Sequence, residues 1–566
     1  MAKNKKIQSF VQLGLMTGIL IFLNILGSAV YSHIDLTEDK RFTLSEPTVE
    51  MIEDLDEVIF VKILLQGQFP AGFKRLQRAT VEMLDEFRSI SSLIEYEFED
   101  PNEGTVEQKN QARKMLEEQG IRPTTLFIKD GSSSKNIAIY PFAILYYKGR
   151  QFTVNLLESE MLGVPNQVVL NNSVSLLEYK FANAIQKLQL YRKRPILFLQ
   201  GHGELLEVQT ADLRKSIKPY YNYGDVRLDS IYSIKPEVAA LIVAKPRTPF
   251  SERDKFIIDQ YVMNGGKVLW LIDALNVNLD SLRRQREYIP LPYDLNLESM
   301  LFKYGARIQP NLLLDWFATQ IPMVTGTLGS GNQFELFKWF YHPLVSSASE
   351  HPVSKGLDRV NMFFPSTIDT IRTKTPVKKT VLLASSERSR MQKYLTRLNF
   401  EILRYKPDAT KFNAGRQPVA VMLEGIFPSA FDGRVSESMR EGLQQINQDF
   451  KPRSEPTRML VVSDGDVPKN LYDPRTKKIS PMGYNQFEQV TFGNKDFMIN
   501  AIEYLLDDTG VIEARSKEVK LRLLDTAKAR EESTKWQVFN IGMPLVFLAI
   551  FGFIYLYIRR RRFAQP

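Results

Sequence analysis

The chain has 566 residues, no cysteine and four histidines, with 74 Lys+Arg against 65 Asp+Glu, a formal net charge of +9 and a sequence pI of about 9.2. Hydrophobic content of 44% and charged content of 25% are ordinary globular values and exclude a wholly disordered chain. The missing cysteine excludes disulfides, thiolate nucleophiles, Fe–S clusters and cysteine zinc sites, and the length predicts several domains at ~150 residues each.

Residues 10–30 form a run of 21 without a charge, preceded by Lys3, Lys5 and Lys6. Such a run spans a hydrocarbon core as a helix. A cleaved signal peptide is the alternative, with Gly27-Ser28-Ala29 as a weak cleavage site, but the run exceeds a usual signal core. Residues 1–34 are therefore read as a cytoplasmic tail and first transmembrane helix. After a polar linker, Ser45 is a plausible N-cap for a short helix over 47–54. Residues 58–65 and 93–98 read as strands, 73–89 and 106–119 as helices, and 125–129, 137–145 and 152–156 as further strands. This β-α-β-α-β-β order over residues 35–170 matches a thioredoxin-like layout. No CxxC is present, so a structural or binding role remains.

A helix over 176–191 leads into a second domain, residues 171–510. Its continuous apolar strands at 196–199, 239–244 and 267–273, with a Ser251-capped helix over 251–264, predict a doubly wound parallel α/β sheet. Later strands fit 381–384, 419–423 and 459–462, and a helix over 495–506 closes the domain. Residues 511–537 read as a helical stalk, since 513–535 carries 12 charges in 23 residues without Gly or Pro. Residues 538–558 are a second uncharged run of 21, followed by Arg559, Arg560, Arg561 and Arg562, so 538–566 is read as a second transmembrane helix and tail. Positive charge at the outer end of both runs predicts cytoplasmic termini and an extracytoplasmic body. Those seven residues supply +7 of the +9, so the basic pI reports topology rather than nucleic-acid binding.

No P-loop is encoded, because Gly265-Gly266-Lys267 lacks the leading glycine and trailing Ser/Thr, and no HExxH is present. The strongest candidate ligand-binding segment is Gly201-His202-Gly203-Glu204, directly after a predicted parallel strand, where α/β sheets place ligands. His202 suits a base with Glu204 orienting it; a tight turn with local hydrogen bonds is the alternative, and no nucleophile is adjacent. Ser463-Asp464-Gly465-Asp466 also follows a strand; Asp464 and Asp466 suit a hard cation, or a turn of acids. His342 and His351 lie in an aromatic stretch with Trp339, Phe340 and Tyr341, read as an irregular packed loop or a sugar or partner surface. No catalytic set, metal site or cofactor motif emerges.

The order of several segments carries a resemblance. They are the N-terminal apolar run, Leu44-Ser45-Glu46-Pro47-Thr48, Ile196 through Glu204, Leu269-Trp270-Leu271-Ile272-Asp273, Phe302 through Ile308, Asn311 through Asp315, Phe364 through Asp369 and Gly493-Asn494-Lys495-Asp496-Phe497. Together they resemble the GldG family, auxiliary subunits of the gliding-motility-associated ABC transporter of Bacteroidetes-type bacteria. The resemblance implies a GIFT domain of amidotransferase-like α/β fold between two membrane helices, a GldA-like ATPase and a GldF-like permease as partners, and an inner-membrane location with a periplasmic body. The catalytic cysteine of amidotransferases has no counterpart here. A non-enzymatic transporter subunit is expected; the other reading is an extracytoplasmic glycan, lipid or peptide binding module.

Overall fold

The computed structural model describes residues 11, 13–22, 24, 43–130, 133–158, 165–190, 192–285, 287–328, 331–445, 448–516 and 531–563. It divides into a large unit, Met1–Glu518, and a C-terminal unit, Val519–Pro566.

The large unit begins with α1 (Glu46–Glu53), β1 (Ile59–Ile63), α2 (Ala71–Ile90), β2 (Ile94–Phe98) and α3 (Val106–Glu118). Helix α2 buries Phe73, Leu76, Thr80, Leu84 and Phe87, a spacing of three and four that lays one stripe on the sheet. Helix α3 starts with a capping box between Thr105 and Gln108. A hairpin of β3 (Thr124–Asp130) and β4 (Ser133–Ile139) follows, then β5 (Phe142–Tyr147) and β6 (Arg150–Asn155). The single strand expected over 137–145 is thus two, broken at Tyr140-Pro141, because proline has no N–H for the ladder. The sheet runs β2-β1-β5-β6, with β1 parallel to β2 and the other pairs antiparallel. Helices α4 (Asn166–Ser175) and α5 (Leu177–Gln189) close its core through Leu170, Leu177, Phe181, Ile185 and Leu188.

Helix α5 also faces the second core. Tyr179, Lys187 and Asn183 all donate to the buried Glu503 carboxylate, the last at 3.4 Å. Burial pushes the Glu503 carboxyl up, but the Lys187 ammonium outweighs it and holds the carboxyl below its ordinary range.

The second sheet has ten strands among the described residues. Its parallel half is built from β7 (Pro195–Gln200), α6 (Ala211–Ile217), β8 (Asn222–Arg227), β9 (Ala240–Ala244), α7 (Glu252–Met263) and β10 (Val268–Leu271). Next come α8 (Leu279–Arg284), a long hairpin of β11 (Ala318–Leu328) and β12 (Gly331–Ser347), β13 (Val377–Ala384), β14 (Pro418–Gly425), β15 (Thr457–Val462) and α9 (Asn494–Leu506). The strand order is β11-β12-β13-β14-β15-β10-β9-β7-β8, the tenth strand, Val360–Asn361, pairing with β12. Strands β15, β10, β9, β7 and β8 are mutually parallel, whereas every pair from β11 to β15 is antiparallel. The sheet is therefore mixed, not wholly parallel as expected. Strands β13, β14 and β15 pair antiparallel as sequence neighbours, even though the connection from β14 to β15 contains a helix, Glu437–Gln445.

Alternation explains the continuous apolar strands. Ile196, Phe198, Ile242, Leu269 and Leu271 pack on one face with α6 and α9; Leu241, Val243, Val268 and Trp270 pack on the other with α7. Both faces are covered, so neither set of positions is polar. The expected capping of α7 is present, with Asp254 N donating to Ser251 Oγ at 3.1 Å. Gly266 follows because a Cβ there would lie 2.5 Å from the Tyr261 carbonyl oxygen. The region around Trp339–Tyr341, expected as an irregular loop, is the middle of β12.

Val511–Ser516, expected within the stalk, is a 3-10 helix with Val511, Ile512 and Ala514 buried. Residues 517–530 of that stalk lie outside the described residues. The C-terminal unit contains α10 (Ser533–Phe563). Within it Ser533–Arg561 is the one helix among the described residues long and apolar enough to cross a membrane. Leu13–Phe22 is a shorter apolar helix, and Lys3, Lys5, Lys6 and the rest of the first run lie outside the described residues.

Candidate functional site

The parallel strands β7, β9, β10 and β15 end side by side, and the residues just past their carboxyl ends are His202, Lys245, Asp273 and Asp464. Strand β7 leads to its neighbour β8 on one side, while β9 leads to β10 on the other, so the connections diverge between β7 and β9. In open α/β sheets ligands enter the crevice at that point. Here the chain itself fills it. The His202 carbonyl accepts from Arg247 N at 2.7 Å and Thr248 N at 3.0 Å, and Leu205 N donates to the Ala244 carbonyl at 3.0 Å.

The His202 ring stacks on Phe250 at 3.8 Å between two carboxylates, with Nδ1 3.3 Å from Glu204 Oε1 and Nε2 3.4 Å from Asp254 Oδ2. The Nδ1 contact is an ion-pair approach without hydrogen-bond alignment. Glu204 Oε2 accepts from His202 N at 2.7 Å. Burial pulls the imidazole pKa down, the two carboxylates push it up, and the net direction is up. Gly201 and Gly203 have φ of +122° and +77°, the turn geometry their residue type permits. A ring already engaged on both sides by carboxylates that favour its charged form is a poor general base.

The loop after β15 behaves differently. The cation held by these acids is the Lys245 ammonium, 2.8 Å from Asp273 Oδ2 and paired also with Asp466. Asp464 accepts from Phe363 N and Asp466 N, each at 2.7 Å, and Gly465 N donates to Asp273 Oδ1 at 2.6 Å. Gly465 permits this packing, since a Cβ there would lie 2.6 Å from Lys245 Cβ. Burial opposes the Lys245 charge, but Asp273 and Asp466 hold its pKa above the ordinary lysine value. Burial likewise opposes the Asp466 charge, and Lys245 and Lys469 hold its pKa below the usual carboxylate range. Burial together with the Asp273 and Asp466 charges pushes Asp464 well up. Lys245 adopts φ +59°, a left-handed conformation uncommon outside glycine. A protonated lysine has no free electron pair, so it locks the strand ends rather than attacking a substrate.

Asp466 also reaches a cavity of about 200 Å³, shared with Arg283 of α8, His342 of β12, Phe363 and Lys469. His342 is buried edge-on against Phe363 at 4.7 Å and Phe364 at 5.0 Å, and its Nε2 has no hydrogen-bond partner among the described residues. Burial drives its pKa down to about 3, so the ring is neutral. The structure thus brings Asp464 and Asp466 together and puts Asp466 on the cavity, while Gly201 to Glu204 lie beyond the Lys245–Thr248 turn and do not line it. Lys245 and Asp273 were missed by sequence reasoning, although Lys245 directly follows one predicted strand and Asp273 ends the next.

The family described as an ABC-type uncharacterized transport system matches residues 193–501, just over half of the chain. The chain belongs to that family. Residues 38–146 match a domain of unknown function. An uncharacterized protein from Borreliella burgdorferi strain B31 is 22% identical over 473 residues, covering 80% of this chain and 85% of that protein. A solved structure described as the mmIFT52 N-terminal domain aligns at 11% identity and a TM-score of 0.30, over 55% of this chain and 97% of that one. The chain is an auxiliary component of an ABC-type transport system.

Proposed function

We propose that this protein is a non-catalytic, GldG-like subunit that anchors an extracytoplasmic body to an ABC transporter of gliding motility or secretion. The observation carrying this is the transport-family match across the sheet domain, joined in one chain to the apolar helix of Ser533–Arg561. In this reading both apolar runs cross the inner membrane, the termini are cytoplasmic and the body is periplasmic. A GldF-like permease and a GldA-like ATPase are its partners, with ATP hydrolysed on the latter. The N-terminal mixed sheet, β2-β1-β5-β6 with a parallel β1–β2 pair joined by a helix, supports a thioredoxin-like module without redox chemistry. The second sheet then corresponds to the GIFT domain. The lysine-locked strand ends and self-filled crevice favour a scaffold over an enzyme. Affinity purification of the detergent-solubilised full chain should recover an ABC permease and ATPase. Recovery of neither, while other membrane complexes survive the same extraction, refutes the reading.

A further inference from the structure

We propose that the cavity between α8, β12 and the loop after β15 binds a small zwitterion of the amino-acid or peptide-terminus class, its ammonium toward Asp466 and its carboxylate toward Arg283. The site is independent of which transporter subunits the chain joins.

Position comes first. The cavity lies beyond the carboxyl ends of β10 and β15, on the edge of the sheet where α/β proteins hold ligands, and the neighbouring crevice at β7 and β9 is filled by its own loops. Its size, about 200 Å³, lies below the ~300–1,000 Å³ of pockets for drug-sized molecules. A small metabolite fits that scale.

Polar chemistry then narrows the class. His342 Nε2 is buried without a partner, and buried polar atoms are normally hydrogen-bonded. Its ring is neutral, so His342 gives the cavity a polar wall without adding charge. The Asp466 side chain lines the cavity beside the Lys469 ammonium, which lies 3.2 Å from its buried Oδ1. That approach is the one a ligand ammonium would share or displace. Arg283 has no carboxylate within ion-pair distance among the described residues, and its guanidinium lies 5.7 Å from the Phe487 ring. A simple anion placed here meets Asp280 and Asp466, and a simple cation meets Arg283 and Lys469. A zwitterion pairs with both signs at once, and charge-assisted hydrogen bonds are the strong ones. Phe363 and Phe487 supply apolar walls for the remaining carbon atoms.

Calorimetric titration of the full chain in detergent tests this with glycine, L-alanine and dialanine against ethylamine, propionate and glycerol. Saturable binding of at least one zwitterion is expected, at least ~10-fold tighter than either singly charged probe. Arg283→Gln alters an exposed side chain, so it should leave the melting temperature unchanged and weaken zwitterion binding at least ~10-fold. Lys469→Met should alter zwitterion affinity without creating propionate binding. Three results would overturn the assignment: no saturable heat for any zwitterion through the millimolar range, equal binding of ethylamine or glycerol, or unchanged affinity in Arg283→Gln.

Discussion

His342 couples the fold to acid. Its ring is buried against Phe363 and Phe364, and its pKa falls from 6.5 to about 3 because burial disfavours the imidazolium. The unfolded chain binds a proton at this position below pH ~6.5, whereas the folded chain does not until much lower pH. Stability is therefore full above the unfolded value and declines as pH falls through the window between the two. The slope is about 1.4 kcal/mol per pH unit, so lowering pH from 7 to 5 removes about 2 kcal/mol through this ring alone. His342→Phe keeps an aromatic ring in the aromatic nest and abolishes the titration. Urea unfolding of the detergent-solubilised chain at pH 7 and pH 5 gives the comparison. The wild type should lose about 2 kcal/mol more than the variant over that interval. Equal losses, within about 0.5 kcal/mol, refute the buried neutral histidine. His351, lowered to about 4 chiefly by burial, adds to the acid loss with the same sign. His202 acts oppositely: its folded pKa is raised, so its contribution is present at low pH and is lost as pH rises through that value.

Glu503→Gln at the junction of the two cores leaves the Lys187 ammonium buried without its counter-charge, an expected loss of about 3–5 kcal/mol by urea unfolding. The double variant Glu503→Leu/Lys187→Met should recover most of that loss, since both charges are removed together. Lys245→Met strands Asp273 and Asp466 in the interior and should cost about 3–5 kcal/mol, whereas adding Asp466→Asn should soften the defect measurably. Thr105→Ala removes one half of the α3 capping box and should cost about 1 kcal/mol, seen as faster amide exchange in the first turn of Val106–Glu118.

Much of the fold was legible because its strands are buried on both faces. Ile196–Leu199, Ala240–Ala244 and Val268–Leu271 are short apolar runs bounded by turn residues, and helix α7 between the last two is bounded by its Ser251 cap and Gly265-Gly266. Strand direction was not legible. Val377–Ala384, Pro418–Gly425 and Thr457–Val462 read as the same kind of apolar strand whether parallel or antiparallel, because both faces are covered in either case. Strand β8 was missed because Asn222–Arg227 carries Asn, Gly, Asp and Arg at an edge where one side needs no apolar cover. The β11–β12 hairpin was missed because Pro322 and Gly326 interrupt its alternation, although the sequence Gly329-Ser330-Gly331 is a hairpin signal. For the site, Asp464 and Asp466 were legible from position alone. Lys245 was not, because a lysine after a strand ordinarily reads as solvated, and only the fold brings two carboxylates to it.

The filled crevice explains why the most ligand-like motif in the sequence is not where the cavity lies. Gly201-His202-Gly203-Glu204 sits where a doubly wound sheet divides, with the glycines that a close backbone approach requires. What approaches is the chain after β9: a Cβ on Gly203 would lie 3.3 Å from Arg247 Cβ, and the His202 carbonyl takes both Arg247 N and Thr248 N. These bonds fix the backbone two residues past Lys245, whose left-handed conformation turns its ammonium to Asp273 and Asp466. Asp466 in turn forms part of the cavity wall. The histidine loop thus acts at a distance of one strand: it braces the turn that positions the lysine, and the lysine keeps a carboxylate ionised where an ammonium can meet it. In this fold the motif at the division of the sheet is a brace, and recognition moves to the ends of β10 and β15.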